Sequence, residues 1–530
     1  MKIGIFLTLA ITLPVMSADI PQMKEMAQEA GITHSYTGDF EFFVGGGVAS
    51  FDCNDDHKSD VFLAGGSSPA QLFINHTPVG GALAFEAAPL DQELLSVSGA
   101  YPINIDNDAF VDLVVLRVGE NKILKGLGNC KFAEANEEFG FDGGNEWTTG
   151  FSAIWEKDAK YPTLAFANYI DQEAPDAPWG TCEDNVLARP DENGKYTKLE
   201  PLSPSFCSLS ILFTDWNNEG KYDLRVTNDR QYYRGGKEQL WTLNDGGKPT
   251  EYGLDQGWQK LVIWGMGIAE GDLDGDGRPE YALSSMGDTM LQGIDEDAPK
   301  EAPQYRDLAF EKGTTAHRPY VGDEGKPSTG WHTQFADFNN DARSDLFIAK
   351  GNVQAMPDFA AMDPDNMLLS QFDGKFVEAG HVAGIDLDRR GRGAVVDDFN
   401  NDGMLDLLVV NREANVSLFQ NMGVKTSWGN APLGNFIDIE LNNGEVNPDA
   451  IGARIEVKTG TLTQIQTVHV GGGHASGQNG FIHFGLGVAE RAEIRVRWPD
   501  GETSQFYRAF ANNHIVIERS KDEPQYWYAQ

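Results

Sequence analysis

Hydrophobic residues along this chain gather in short runs that are separated by polar, glycine-rich turns. Examples are DLLVV at 406–410, DLFIA at 345–349 and QLFIN at 71–75. Short apolar runs bounded by turn residues are typical of β-strands rather than helices. The pattern therefore predicts an all-β protein made of many short strands.

One polar pattern repeats between these runs, with acidic or amide residues at positions 1, 3 and 5 and an acid at position 9. Its six copies start at residues 52, 104, 215, 272, 337 and 398. The gap between the second and third starts is about twice the others. A further unit is expected to start near residue 154, where IWEKDAKYP lacks the acids but the later strand NVLAR (185–189) is retained. The chain thus contains seven similar units.

Each unit is expected to contain four short strands, and a unit of this length and composition is typical of a β-propeller blade. Before most acidic loops, glycine-rich stretches such as GGGVASFD (45–52) and GRGAVVDD (391–398) predict the crowded innermost strand. We predict a seven-bladed β-propeller over residues 19–430. An N-terminal strand around Phe40 to Val44 is expected to complete the last blade.

The C-terminal part has a different pattern. Seven short alternating segments, from NFIDIEL to HIVIERS, predict a small β-sandwich over residues 431–520, followed by a tail at 521–530. His474 and His483 lie in this part, and we interpret both as structural or surface residues rather than ligands.

The N-terminus and the charge indicate an exported protein. Lys2 precedes an apolar run from Ile3 to Met16, with the small residues Ser17 and Ala18 after it, which predicts a signal peptide at 1–18. The formal charge of −39 disfavours binding to nucleic acid or anionic membranes and favours cations. We expect a secreted, extracellular or periplasmic monomer without membrane insertion.

The acidic loops predict calcium sites. Ca²⁺ takes six to eight oxygen ligands, and alternating positions of a tight loop can direct their oxygens to one point. An EF-hand would need Glu at position 12, but Leu283 stands there in the best copy. We predict up to six Ca²⁺ sites, with a metal site in the third unit in doubt. The predicted ligands are Asp52, Asn54, Asp56 and Asp60; Asn104, Asp106, Asp108 and Asp112; Asp215, Asn217, Glu219 and Asp223; Asp272, Asp274, Asp276 and Glu280; Asp337, Asn339, Asp341 and Asp345; and Asp398, Asn400, Asp402 and Asp406.

The chain has four cysteines, Cys53, Cys130, Cys182 and Cys207. An even number in an exported protein allows two disulfides, and four cysteines permit three pairings. We favour Cys182 with Cys207, because both fall in one irregular stretch.

The acidic loops resemble the FG-GAP/VCBS repeats of integrin α-subunit propellers, and the C-terminal part resembles the ASPIC/UnbV domain. The matching residues there are DAIGARIEVKTG (449–460), GGGHASGQNG (471–480), HFGLG (483–487) and VRWPDGE (496–502). In this order the two parts look like the cartilage acidic protein family and its bacterial relatives. The resemblance implies an extracellular calcium-binding protein with an adhesion-like role, its calcium ligands falling on the six loops above.

Three functions remain open. The first is a binding or adhesion module for an extracellular protein or glycan, with the long segments 171–184, 295–332 and 352–365 as contact loops. The second is a calcium-dependent lyase or hydrolase acting on extracellular polysaccharide. The third is a structural role in calcium storage or matrix assembly. The sequence contains no GxSxG, HExxH or P-loop motif, so we expect no catalytic residues and favour the binding module.

Overall fold

The computed structural model describes residues 18–528, except 230–234, 245, 316–325, 355, 362 and 428. Apart from Ala18, the predicted signal peptide lies outside the described residues, as do the last two residues of the chain. In the described part, no helix has the length and hydropathy needed to cross a bilayer.

The predicted all-β propeller is confirmed, and in the described residues its strands form seven antiparallel sheets. Each sheet takes four consecutive strands, except the seventh. Blades 1 to 3 consist of β2 (Val48–Phe51), β3 (Asp60–Leu63), β4 (Gln71–Asn75) and β5 (Phe85–Ala88); β6 (Val97–Ile103), β7 (Asp112–Arg117), β8 (Lys122–Gly126) and β9 (Phe132–Glu134); and β10 (Thr148–Ile154), β11 (Thr163–Asn168), β12 (Asn185–Ala188) and β13 (Leu199–Leu202).

The remaining blades follow the same order. Blades 4 to 6 consist of β14 (Ser208–Thr214), β15 (Asp223–Asn228), β16 (Gln239–Thr242) and β17 (Thr250–Glu251); β18 (Gly265–Gly271), β19 (Glu280–Ser285), β20 (Met290–Ile294) and β21 (Tyr305–Asp307); and β22 (Gly330–Ala336), β23 (Asp345–Lys350), β24 (Asn366–Ser370) and β25 (Phe376–Glu378). Blade 7 contains β26 (Gly391–Asp397), β27 (Asp406–Asn411) and β28 (Ser417–Asn421).

The fourth strand of blade 7 comes from the N-terminal region. It is β1 (Met23–Glu25), which pairs antiparallel with β28 through Met23 and Asn421. The prediction that Phe40 to Val44 completes this blade was wrong. Residues Phe40–Phe42 form a 3₁₀ turn, and Phe40 packs against Trp147, so these aromatic residues are used in packing and not in a sheet.

The first strands of the blades surround the central axis. They contact one another in chain order, and β26 contacts β2 to close the ring. Closure leaves no exposed edge among these strands. Because strands alternate in direction, the loops after the first strands lie on one face, and the connections between blades lie on the opposite face. We call these the loop face and the entry face.

Helical segments are short. Besides the 3₁₀ turn Phe40–Phe42, those in the described part of the chain are α1 (Asn136–Phe139), α2 (Ala309–Lys312), α3 (Gly380–Ala383) and a 3₁₀ turn at Leu254–Gln256. Each α segment follows the outermost strand of its blade and ends at a left-handed glycine, such as Gly140. Glycine adopts that conformation without steric cost, so the chain can turn back toward the next inner strand.

A hairpin leads from the propeller into the C-terminal sandwich, whose strands form two four-stranded sheets around a separate core. The sheets contain eight strands and not the seven expected, because β39 lies in the residues assigned to the tail. The hairpin strands are β29 (Val424–Thr426) and β30 (Gly429–Ala431). The sandwich strands are β31 (Asn435–Asn442), β32 (Arg454–Thr459), β33 (Leu462–Thr467), β35 (Ile482–Gly487), β36 (Arg491–Arg497), β37 (Tyr507–Phe510), β38 (Asn513–Glu518) and β39 (Gln525–Trp527), whereas β34 (Gly477–Gln478) lies outside both of these sheets.

The glycine-rich segment 470–480 leaves the sandwich and enters the centre of the ring. We call it the plug. Its strand β34 pairs in parallel with β2, and the Gly473 N–H donates to Ile268 O on β18 at 2.6 Å. A Cβ on Gly47 would lie 1.7 Å from Ala475 O, so only glycine permits this approach. The plug therefore lies between the inner strands, beside a cavity of about 260 Å³.

The structure contains the favoured disulfide, Cys182–Cys207, and a second between Cys53 and Cys130. Each joins neighbouring blades, since Cys53 belongs to the loop of blade 1 and Cys130 to the last turn of blade 2. Both therefore tie the ring together across blade boundaries.

Candidate metal centres in the blade loops

Every predicted acidic loop starts at the residue after an inner strand and ends at the first residue of the second strand. All six loops therefore lie on the loop face, one to a blade. In blade 3 the corresponding loop is Trp155 to Thr163, one residue later than expected. We number the loops by blade and the residues within each loop from 1 to 9.

All seven loops share one backbone feature that the sequence pattern did not reveal. The residue at position 4 lies in the left-handed region, with φ between 50° and 76°. Asparagine, aspartate and glycine tolerate this conformation best, which explains their use there. The residues are Asp55, Asn107, Asp158, Asn218, Gly275, Asn340 and Asn401.

Five loops share a second turn at position 6, also left-handed, whose N–H donates to the carboxylate at position 1. The donors are His57 to Asp52 (2.6 Å), Gly220 to Asp215 (3.0 Å), Gly277 to Asp272 (2.8 Å), Ala342 to Asp337 (2.8 Å) and Gly403 to Asp398 (2.6 Å). Among the described residues, Ala109 of loop 2 and Lys160 of loop 3 do not take the left-handed conformation. Five loops therefore have one geometry, and loops 2 and 3 depart from it.

The acid at position 9 connects the loop to its blade. Asp345 accepts hydrogen bonds from Phe338 N at 3.0 Å and from Ser370 N, on the third strand, at 2.8 Å. Asp60 accepts equivalent bonds from Cys53 N and Asn75 N. These carboxylates are buried, and burial raises the pKa of Asp60 to about 7. A cation beside them would favour the charged form that burial disfavours.

The carboxylates of loop 5 and one amide oxygen of loop 7 are suited to a calcium ion. In loop 5, one oxygen from each of Asp272, Asp274 and Asp276 lies within 4.8 Å of the others. Two oxygens bound to the same Ca²⁺ at about 2.3–2.6 Å are separated by no more than about 5 Å. In loop 7, the buried Asn400 Oδ1 accepts no hydrogen bond from the described residues, while its amide nitrogen donates to Asp402 at 2.9 Å. A buried acceptor without a donor is suited to a cation.

The sandwich is docked on the loop face and contacts the position-4 residues. Asn447 N donates to Asn107 Oδ1 at 2.7 Å, and Arg497 donates to Asn218 Oδ1 at 2.9 Å. His483 Nε2 lies 2.7 Å from Asn340 Oδ1. Three residues that carry the shared backbone turn at position 4 are therefore also contacts between the two domains.

Two histidines surround one buried carboxylate at this junction. His483 Nδ1 lies 2.7 Å from Asp438 Oδ1, and His514 Nε2 lies 3.0 Å from Asp438 Oδ2 and 3.8 Å from Asp398 Oδ2. Burial opposes protonation, but the Asp438 carboxylate raises the pKa of His514 to about 10. A protonated His514 offsets negative charge between loop 7 and the sandwich. The sequence gives no signal for this cluster, because its members are far apart along the chain.

The channel contains two buried histidines, His332 and His474, whose contact the sequence did not indicate. His474, on the plug, donates its backbone N–H to His332 Nδ1 at 3.1 Å, and its ring lies 5.1 Å from that of Trp331. Burial lowers the pKa of His332 to about 4 and that of His474 to about 3, so both are neutral at ordinary pH. The guanidinium of Arg392 lies over Trp331 at 4.2 Å. These groups pack the channel and hold the plug.

The fold and the loops define a β-propeller protein whose C-terminal sandwich covers the loop face. Residues 443–524, most of that sandwich, match the family model described as ASPIC and UnbV. The chain thus carries an ASPIC and UnbV domain at its C-terminal end.

The chain is similar to cartilage acidic protein 1. It is 25% identical to the Mus musculus protein over 260 residues, covering 48% of this chain and 36% of that protein. It is 30% identical to the Xenopus tropicalis protein over 133 residues, covering 24% of this chain and 19% of that protein. The chain therefore spans about a third or less of the length of these curated relatives.

Solved structures with a similar fold include BBS1N in complex with ARL6DN, with a TM-score of 0.40, 9% identity, and coverage of 74% of this chain and 94% of that one. The Dos1 propeller has a TM-score of 0.35 and 10% identity, with coverage of 76% and 95%.

Proposed function

We propose that this chain is an exported calcium-binding module that binds an extracellular protein or glycan, with calcium ordering the loop face. The observation that carries the calcium part is the shared geometry of five loops, in which oxygen-bearing residues alternate around two left-handed turns. The similarity to cartilage acidic protein 1 and the ASPIC and UnbV domain support an extracellular binding role.

The entry face is the better candidate for binding a partner, because the sandwich covers the loop face and the plug lies in the channel. Segments 171–184 and 352–365 each follow the second strand of a blade and so lie on the entry face. Trp179 and Trp264 are 61% and 43% exposed there. Exposed aromatic residues are enriched at binding interfaces. Segment 295–332 is less suited to be one contact loop, since it contains β21 and α2.

An enzyme acting on polysaccharide is the second candidate. In a propeller, such chemistry would use titratable groups at the central channel. Here His332, His474 and Arg392 are buried by the plug and packed against Trp331. This packing favours binding over turnover.

Calcium binding is tested by equilibrium dialysis against millimolar Ca²⁺, which counts the bound ions, and by melting the protein with chelator and with millimolar Ca²⁺. Extracellular calcium modules have Kd values of roughly 10⁻⁴ to 10⁻³ M, so each occupied site adds on the order of 1 kcal/mol at millimolar calcium. We expect a melting temperature several degrees higher with calcium. An identical melting curve in chelator, with no bound ion, would contradict the calcium part of the proposal.

Partner binding is tested on arrays of glycans and of extracellular proteins, with and without calcium, beside turnover assays on the same glycans. We expect binding without turnover. Replacing Trp179 and Trp264 together by Ala should weaken binding at least tenfold, whereas Phe510→Ala, exposed on the sandwich, should not. Glycan cleavage would favour the enzyme. Equal loss of binding in both variants would show that the entry face is not the specific binding surface.

A further inference from the structure

Blades 2 and 3 differ from the other five in the loop and also on the neighbouring third strand. Their loops lack the left-handed turn at position 6. Neither has a carboxylate at position 1, where loop 2 has Asn104 and loop 3 has Trp155. Asn104 donates from its amide nitrogen to Asp108 O, and its buried Oδ1 accepts no hydrogen bond from the described residues.

In blade 2, a lysine contacts the carboxylates that would hold the metal. Lys125, on β8, donates to Asp106 at position 3 and lies 3.6 Å from Asp108 at position 5. It also donates to Glu138 at 3.2 Å. The ammonium group is partly buried, so these contacts are less screened than those of a surface pair. Lys125 therefore already supplies positive charge at the point where oxygen ligands of positions 3 and 5 meet.

In blade 3, an arginine pairs with the acid at position 2 of its loop, Glu156. Arg189 donates from Nε to Glu156 Oε1 at 2.5 Å and from a terminal nitrogen to Glu156 Oε2 at 3.3 Å. Thr163, at position 9, donates its hydroxyl to Glu156 at 2.7 Å. A bidentate guanidinium satisfies both oxygens of this acid. Loop 3 is thus held by an ion pair within one blade.

Lys125 and Arg189 occupy equivalent places in their blades. In blade 2, Leu113 pairs with Leu124, so Asp112 at position 9 faces Lys125. In blade 3, Leu164 pairs with Ala188, so Thr163 at position 9 faces Arg189. The other five blades have uncharged residues there. These are Ile74, Thr242, Gly293, Leu369 and Gln420. A basic residue at this register position therefore occurs in the two blades whose loops lack the shared geometry.

We infer that Lys125 and Arg189 are resident cations that replace calcium in blades 2 and 3, which leaves five metal sites, in blades 1, 4, 5, 6 and 7. This inference rests on the proposed calcium function and corrects its upper limit of six sites. The charges of loop 2 agree with this inference. Loop 2 has Asn104 at position 1 in place of a carboxylate, so it has one negative charge fewer, and a monovalent ammonium there takes the place of a divalent ion.

Loop 4 also contacts a basic residue, but in another way. Arg497 of the sandwich lies 2.5 Å from Asp215 Oδ2, the oxygen that also accepts the Gly220 N–H. Its other contact is to Asn218, the position-4 residue that faces the sandwich. Loop 4 keeps the shared turn at position 6, so we count it among the metal sites.

The first test removes the same two carboxylates from a metal loop and from the lysine loop. Bound calcium is counted by equilibrium dialysis at saturating Ca²⁺, in variants whose folding is checked by circular dichroism. We expect five ions in the unchanged chain, four with Asp274→Asn and Asp276→Asn, and five with Asp106→Asn and Asp108→Asn. Loss of an ion from the loop 2 variant, or six ions in the unchanged chain, would overturn the inference and leave the proposed function intact.

The second test builds a site in blade 2. Asn104→Asp, Ala109→Gly and Lys125→Met together give loop 2 the features of the other five and should raise the count from five to six. The control keeps Lys125 and carries only the first two changes, and it should remain at five. A sixth ion in the control would show that the lysine does not take the place of the metal.

The third test works even if the chain binds no calcium, a result that would overturn the five-site count and the proposed function. In chelator, Lys125→Met leaves Asp106 and Asp108 without their cation and should lower the melting temperature. Lys131→Met, at an exposed position in the turn after the same strand, serves as the control. Equal melting temperatures for the two variants would refute the role of Lys125 as a resident cation.

Discussion

The carboxylate at position 9 has two roles at the scale of single residues. It accepts backbone N–H bonds that join the loop to the third strand, and it is buried. In the calcium-binding state that we propose, the ion compensates for this burial. Without the ion, the buried carboxylate stays charged only at a cost in stability.

This cost predicts how stability depends on pH. Burial raises the pKa of Asp60 to about 7 and that of Glu280 to about 8, so the metal-free folded chain binds more protons than the unfolded chain between about pH 4 and pH 8. The free energy of unfolding should therefore fall as pH rises through this range. Urea denaturation in chelator at pH 5 and pH 8 measures the difference. Millimolar calcium should flatten it, and a rise in stability toward pH 8 in chelator would contradict the argument.

The buried ion pair of Lys350 is a second feature at this scale that affects the free energy of unfolding. The Lys350 ammonium is fully buried, 3.0 Å from Asp363 and 3.3 Å from Ser328 Oγ. Lys350→Met would leave a buried carboxylate without its cation, which costs about 3–5 kcal/mol. Urea denaturation should detect this loss. The exposed Lys24→Met should change stability by less than about 1 kcal/mol, and equal effects would argue that the buried pair is unimportant.

At the scale of elements, the plug depends on glycine in the inner strands. Ala475 O lies so close to Gly47 and Gly99 that added Cβ atoms would be 1.7 Å and 2.2 Å away. The inner strands and the plug have therefore to be considered as one packed unit.

Gly47→Ala tests this unit. The new methyl group would push the plug out of the channel, with a loss of about 1–3 kcal/mol and faster proteolysis within 470–480. In Gly330→Ala, also on an inner strand, the nearest atom is 3.2 Å away and belongs to blade 5, so the plug should remain seated. Equal proteolysis of the two variants would contradict the role of the plug.

The sequence predicted the elements whose pattern repeats and missed those that occur once. The acidic loops and apolar strands identified the blades because each copy supports the others. The closing strand Met23–Glu25 has only three residues and one apolar position facing the core, so no periodicity marks it. The glycines of 470–480 suggested a loop, but their entry into the ring depends on tertiary contacts. Lys125 and Arg189 became equivalent only once the strand register was known.

At the scale of the whole molecule, the sandwich contacts loops from several blades at once. Asn107, Asn218 and Asn340 belong to three blades and all bond to it. If calcium orders these loops, it also orders the surface on which the sandwich rests.

Removal of calcium is therefore expected to loosen the sandwich before the blades unfold. In chelator, hydrogen exchange should accelerate at Gly472 and Gly473, whose amides bond to Ile211 O and Ile268 O. Amides between β10 and β11 serve as an internal control, since blade 3 relies on Arg189 and not on a metal. Uniform acceleration of exchange across both regions would instead indicate global unfolding. Unchanged exchange rates would show that the docking of the sandwich does not depend on calcium in the loops.

The pairing of β1 with β28 has a consequence for the order of assembly. Blade 7 cannot be completed until the chain up to Asn421 is present and has paired with Met23. The plug comes about fifty residues later still. Before the plug is present, the centre of the ring is therefore empty, and the plug is the last segment to enter and stabilise the ring.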